Sequence, residues 1–75
     1  MSQHVVLLYT RTGCHLCDEA KAVLQRYRLE PTEIDIDSDP ELRDRYDNCV
    51  PVVVLDGKER FFGRIDEILL QRLLS

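Results

Sequence analysis

A chain of 75 residues, 44% hydrophobic and 32% charged, makes one globular domain at most, residues 1–75, and a domain of this size buries only about 60% of its unfolded-chain surface. Ten basic against fourteen acidic side chains give a net charge of −4 with no Lys/Arg run, which argues against nucleic acid as a partner. The longest apolar run, residues 5–9, is far short of the ~20 residues of a membrane span and follows no basic signal-type segment, so the cytoplasm, away from membranes, is the expected location; a monomer is the expected state.

Residues 4–10 contain Val5, Val6, Leu7, Leu8 and Tyr9, a short β-favouring run bounded by the turn-prone Thr12-Gly13, which reads as a strand buried on both faces. Beyond Gly13 the period changes. Leu16, Ala20, Val23, Leu24 and Tyr27 recur at steps of three and four between charged residues, as on an amphipathic helix, and Pro31 is read as its stop. Glu33, Ile34, Asp35, Ile36 and Asp37 then alternate polar with apolar, predicting a half-buried strand. Ser38, with Pro40 behind it and Glu41 three residues on, resembles a capping box and opens a short helix to about Tyr46. Residues 51–55 predict another buried strand, Asp56-Gly57 the turn of a type I′ hairpin, and residues 58–62 its antiparallel partner. After Gly63, a stripe of Ile65, Ile68, Leu69 and Leu73 predicts a last helix, with Asp66 and Glu67 at its positive N-terminus. The order is βαβαββα, and Tyr9, Tyr27, Tyr46, Phe61 and Phe62 all read as core.

Two of the three cysteines form Cys14-His15-Leu16-Cys17, a pair too close together to staple distant parts of a fold. In a reducing compartment such a pair is catalytic or metal-binding rather than structural. Cys14 falls where the first strand turns into the first helix, near helical N–H groups that lack intrahelical partners and stabilise a thiolate by roughly 0.3–1 kcal/mol. Arg11 and a protonated His15 would add to this, and Asp18 would oppose it. Cys17, three residues on, comes round to the same side, where it can attack a mixed disulfide on Cys14 and release the substrate as a thiol. The blander readings are two inert buried cysteines or half of a zinc site. Zinc would draw on Cys14, Cys17, Cys49, His4 and His15, with no second CxxC or HxxxH to complete a set of four, so no metal is expected.

The CxxC at a strand-to-helix turn, the Val50-Pro51 that opens the third strand, and Gly63-Arg64-Ile65-Asp66 before the last helix together resemble the glutaredoxin branch of the thioredoxin fold. More closely, residues 9–20 are similar to the compact glutaredoxin-like proteins with a C-H-L-C site. The resemblance implies an α/β, thioredoxin-like domain with a mixed four-stranded sheet flanked by three helices. It implies Cys14 as nucleophile, Cys17 as resolving thiol, and Pro51 cis and facing the active site. It also implies a glutathione site in which the backbone of Val50 pairs with the tripeptide and Asp66 lies near its γ-glutamyl amino group. The chain departs from the glutaredoxin pattern at three places. His15 and Leu16 replace the usual Pro and Tyr, Cys49 precedes Val50-Pro51 where Thr is usual, and Phe62 replaces the first of two glycines.

The expected activity is thiol/disulfide exchange on protein disulfides or glutathione mixed disulfides, with no bound cofactor and with glutathione or a thioredoxin reductase system as reductant. The alternative class is a non-catalytic thioredoxin-fold interaction or metal-binding module, for which Cys17 would be superfluous. Arg11, His15 and Leu16 complete the candidate substrate-binding set with Val50, Pro51 and Asp66, each with a plainer reading beside it: Arg11 as an isolated surface cation, His15 as solvated, Asp66 as a helix cap. Cys49 is either a packing residue or a third redox thiol.

Overall fold

Residues 4–47 and 49–74 are described here in a computed structural model. The apolar run after His4 forms β1, Val6–Thr10. The amphipathic segment forms α1, His15–Arg26, capped by Cys14. Its end is set before Pro31. Arg28 takes a left-handed φ of 62°, its N–H donates to the Gln25 carbonyl at 3.0 Å and the Leu29 N–H to the Leu24 carbonyl at 3.0 Å, so the last turn closes on itself and tucks Leu29 into the core.

The second strand is shorter than its polar/apolar alternation predicts. β2 spans Thr32–Asp35, and Ile36–Ser38 form a 3-10 turn in which the Asp35 carboxylate accepts the Asp37 N–H at 2.9 Å. A side-chain acceptor within hydrogen-bond reach competes with the strand ladder at this point. The cap of the next helix, α2 (Pro40–Tyr46), is Asp39, which accepts the Glu41 N–H at 2.9 Å; the Ser38 hydroxyl instead donates back to the Asp35 carbonyl at 2.6 Å. β3 (Val52–Leu55) and β4 (Lys58–Phe62) form the expected hairpin, with Asp56 and Gly57 at φ of 51° and 87°, the two positive angles that a type I′ turn requires. α3 spans Glu67–Leu74.

The sheet runs β2-β1-β3-β4, with β1 parallel to β2 and the other two pairings antiparallel. Strand alternation sorts its side chains into two cores. Val6 and Leu8 of β1 with Val53 and Leu55 of β3 face α1 and α3, joined by Ala20, Leu24, Leu29, Phe61 and Leu70. Val52 and Val54 face the other way, onto Ile36 and Tyr46, with Leu7, Tyr9, Leu42 and Val50 packed around them. Three helices thus flank a mixed four-stranded sheet, and all of β3 is buried because both of its faces are covered.

Two apolar assignments change. Helix α3 turns Leu70, Leu73 and Leu74 inward beside Ile65 and leaves Ile68 67% and Leu69 39% exposed, because its first residue is Glu67 and the inward stripe starts from Leu70. Phe62, read as core, is 54% exposed; β4 is an edge strand with a register shift opposite Val53/Val54, and its Phe61 takes the inward position. Among the described residues, no helix is long and apolar enough to cross a membrane.

Candidate functional site

Strand register brings the candidate residues to one edge of the sheet. Thr10, the last residue of β1, pairs with Asp35 at the end of β2, and Tyr9 pairs with Val52 at the start of β3, which in turn pairs with Phe62 at the end of β4. The turn carrying Cys14, the 3-10 turn with Asp37, the approach to β3 through Cys49, Val50 and Pro51, and residues 63–66 therefore all leave from the same end.

The first of these turns is built on Gly13, at φ 81°, and on the Cys14 N–H, which donates to the Arg11 carbonyl at 3.1 Å. The chain then enters α1 with Cys14 as its N-cap, and the Cys17 N–H donates to the Cys14 Sγ at 3.2 Å. The sulfur thus occupies the place usually taken by a capping hydroxyl or carboxylate. Cys14 is half-buried and Cys17 buried, both as free thiols. Burial, reinforced by hydrogen bonding and charge at Cys14, pushes the Cys17 thiol up to about 12, against a weaker pull downward from a backbone hydrogen bond at Arg11. A groove of about 260 Å³ lies over the pair, lined by residues 10–14, Cys17 and the carboxylates of Asp18, Glu33 and Asp35, with Glu33 paired to Lys21 at 3.0 Å.

Arg11 is not an isolated surface cation. Its Nε and Nη2 donate to the two oxygens of Asp37 at 3.0 and 3.1 Å, its Nη1 donates to the Asp47 carbonyl at 3.1 Å, and Nη2 also reaches the Asp47 carboxylate. A substrate carboxylate would have to compete with both aspartates for it. Sequence reasoning missed Asp37 and Asp47, which lie 26 and 36 residues away along the chain.

The Val50–Pro51 bond is cis, as the resemblance implies. The Pro51 ring is fully buried and its carbonyl accepts the Gly63 N–H at 2.8 Å, while Val50 before it is half-buried, one side packed on the Ile36 and Tyr46 cluster. Leu16 faces the turn that follows, across a cleft of about 240 Å³ shared with Gly63, Arg64 and Ile65. Asp66 caps α3, accepting the Ile68 and Leu69 N–H groups on one oxygen at 3.0 and 3.2 Å. His15 is 88% exposed, with its Nε2 3.8 Å from Glu19. Cys49 is exposed rather than packed, its N–H donating to the Tyr46 carbonyl at 2.9 Å. Among the described residues, no group of three His, Cys, Asp or Glu side chains is placed to hold a metal ion.

A family model described as a glutaredoxin-like domain matches residues 5–75. A glutaredoxin-like protein of Dictyostelium discoideum is 33% identical over 72 residues, covering 83% of this chain and 67% of that protein. The solution structure of a Nitrosomonas europaea protein aligns with a TM-score of 0.87 at 30% identity, over 100% of this chain and 95% of the other. NrdH-redoxin from Escherichia coli, a glutaredoxin-like protein with a thioredoxin-like activity profile, aligns with a TM-score of 0.67 at 26% identity, over 87% of this chain and 91% of its own. The fold is thioredoxin-like, and Cys14 and Cys17 stand in it as a CxxC pair.

Proposed function

The chain belongs to the glutaredoxin-like domain family, and from that premise we propose that it is a thiol/disulfide oxidoreductase in which Cys14 and Cys17 reduce protein disulfides or glutathione mixed disulfides. The observation that carries this reading is the arrangement at the start of α1: the Cys14 sulfur accepts the Cys17 N–H at 3.2 Å, and the Cys17 thiol is buried one turn inside it.

The Cys14 thiolate attacks one sulfur of the substrate disulfide. A Cys14–substrate disulfide forms, the old S–S bond breaks, and the other half leaves as a thiolate that takes up a proton. Cys17 then loses its proton and attacks Cys14, forming the Cys14–Cys17 disulfide and releasing the second half as a thiol. Two electrons have passed from the dithiol to the substrate. Two glutathione thiols, becoming glutathione disulfide, or a thioredoxin reductase system, return them, so glutathione enters as co-substrate rather than as a resident cofactor. A reducing compartment such as the cytoplasm keeps the pair ready.

The causes of the Cys17 shift support this order of events. Burial is the largest, and the hydrogen bond and charge at Cys14 come next among those that raise it. Once Cys14 is tied up in a mixed disulfide its charge is gone, and Cys17 ionises more readily. Val50, Leu16 and Asp66 line the flank along which a glutathionyl group or an extended polypeptide would lie, with His15 in solvent at its margin. Cys49, exposed in the adjoining loop, is available as a third thiol.

Cys14→Ser should abolish reduction of a glutathionylated peptide, whereas Cys17→Ser should trap the mixed disulfide and keep activity that needs one thiol. Equal residual activity in the two variants would overturn the assignment of nucleophile.

A further inference from the structure

Arg11 occupies the junction of three of the segments that make the site. Its carbonyl holds the Cys14 N–H, its guanidinium forks onto Asp37 in the 3-10 turn after β2, and the same guanidinium grips the Asp47 carboxylate and carbonyl at the end of α2, two residues before Cys49. We propose that Arg11 is a positioning residue that fixes the substrate-facing loop of Cys49, Val50 and Pro51 against the turn carrying Cys14, and that it is not a receptor for an anionic substrate. The inference rests on the dithiol reading above and specifies how that site is held together.

Three features carry it. The first is donor count: Nε, Nη1 and Nη2 all donate within the protein, and the planar fork matches the two Asp37 oxygens in a way the single ammonium of lysine cannot. The second is charge. Two carboxylates face one guanidinium, so the cluster carries a net negative charge, and the adjoining groove adds Asp18 and Asp35, with its Glu33 paired to Lys21. The third is topology. The β1–β3 pairing ends at Tyr9 and Val52, and Arg11, two residues beyond Tyr9, ties the chain there to Asp47, which precedes Val52, through its guanidinium. Both aspartates hold its guanidinium in the charged form, raising it further above its ordinary value.

Reduction of two probes of different charge separates the roles: neutral hydroxyethyl disulfide and anionic glutathione disulfide. Arg11→Gln should raise KM for both by a similar factor, about three- to tenfold, with kcat changed less. Asp47→Asn should act in the same direction on both, and Arg11→Lys should restore little. Amide exchange at Cys49, whose N–H is held by Tyr46, should quicken in Arg11→Gln while exchange at Leu70, in the core, stays the same. A loss confined to glutathione disulfide, restored by lysine and inverted to a gain in Asp47→Asn, would overturn the proposal, as would unchanged exchange at Cys49. If the wild-type protein reduces neither probe, the dithiol reading fails, and exchange at Cys49 still decides whether Arg11 anchors the loop.

Discussion

The clearest consequence of the thiol geometry is that Cys17 should be nearly inert in the reduced protein at neutral pH. Its thiol is raised from an ordinary 9.0 to about 12. At pH 7 that cuts its thiolate fraction from about one in a hundred to about one in 100,000, a loss of roughly a thousandfold. A more basic thiolate is intrinsically more nucleophilic, and a Brønsted coefficient of about 0.4–0.5 over three units returns roughly twentyfold. Cys17 should therefore alkylate about 50-fold more slowly than a free cysteine peptide, before any shielding by burial, which leaves the residue 3% exposed. Limiting iodoacetamide, low conversion and fragment-ion mass spectrometry of the peptide holding both thiols would give the separate rates. The Cys17 rate should climb close to tenfold per pH unit up to at least pH 10. A Cys17 rate within threefold of the free peptide at pH 7, or a profile that levels off below pH 10, would refute the reasoning.

The same shift links to stability: because the folded state keeps the Cys17 proton above the unfolded value of 9.0, its contribution is fully present below pH 9 and is lost as pH rises toward 12. Urea titrations should show wild type losing up to about 1.4 kcal/mol per pH unit in that window relative to Cys17→Ala. Leu24→Ala, at a fully buried position between α1 and the sheet, should cost about 2–5 kcal/mol by the urea midpoint. Asp66→Ala removes the acceptor for two α3 N–H groups and should cost about 0.5–2 kcal/mol, with Asp66→Asn recovering most of it in thermal melts. Cys49→Ser should change stability by no more than about 0.5 kcal/mol, since the thiol is exposed; a loss of several kcal/mol would return Cys49 to the packing role.

Element types and order could be read in the chain because they rest on short-range signals: the period change at Gly13, the positive-φ pair Asp56-Gly57, and the unbroken apolar run of β3. Boundaries failed where local side chains competed with the pattern. Asp35 and Ser38 fold the end of the presumed second strand into a 3-10 turn, which still delivers Ile36 to the core, so the alternation was sound and the geometry different. The last helix misled because five of its eight residues are apolar and only the true first residue decides which of them face inward. At the site, the position of Cys14 at the turn from the first strand into the first helix was legible from the strand, glycine and helix around it, and its sulfur proves to be the helix cap. Arg11 was not, because its partners come from two other segments that only the completed sheet brings to the same edge.

The central claim, that Cys14 and Cys17 cycle between dithiol and disulfide, is tested most directly by mapping the disulfide in the oxidised protein. Mild oxidation with a small disulfide, blocking of remaining thiols and mass spectrometry should find a mass loss of two hydrogens within the peptide that holds both residues, with Cys49 blocked as a free thiol and glutathione reversing the change. A dominant Cys14–Cys49 link, an intermolecular disulfide, or a Cys14 and Cys17 that stay free under oxidation would contradict it.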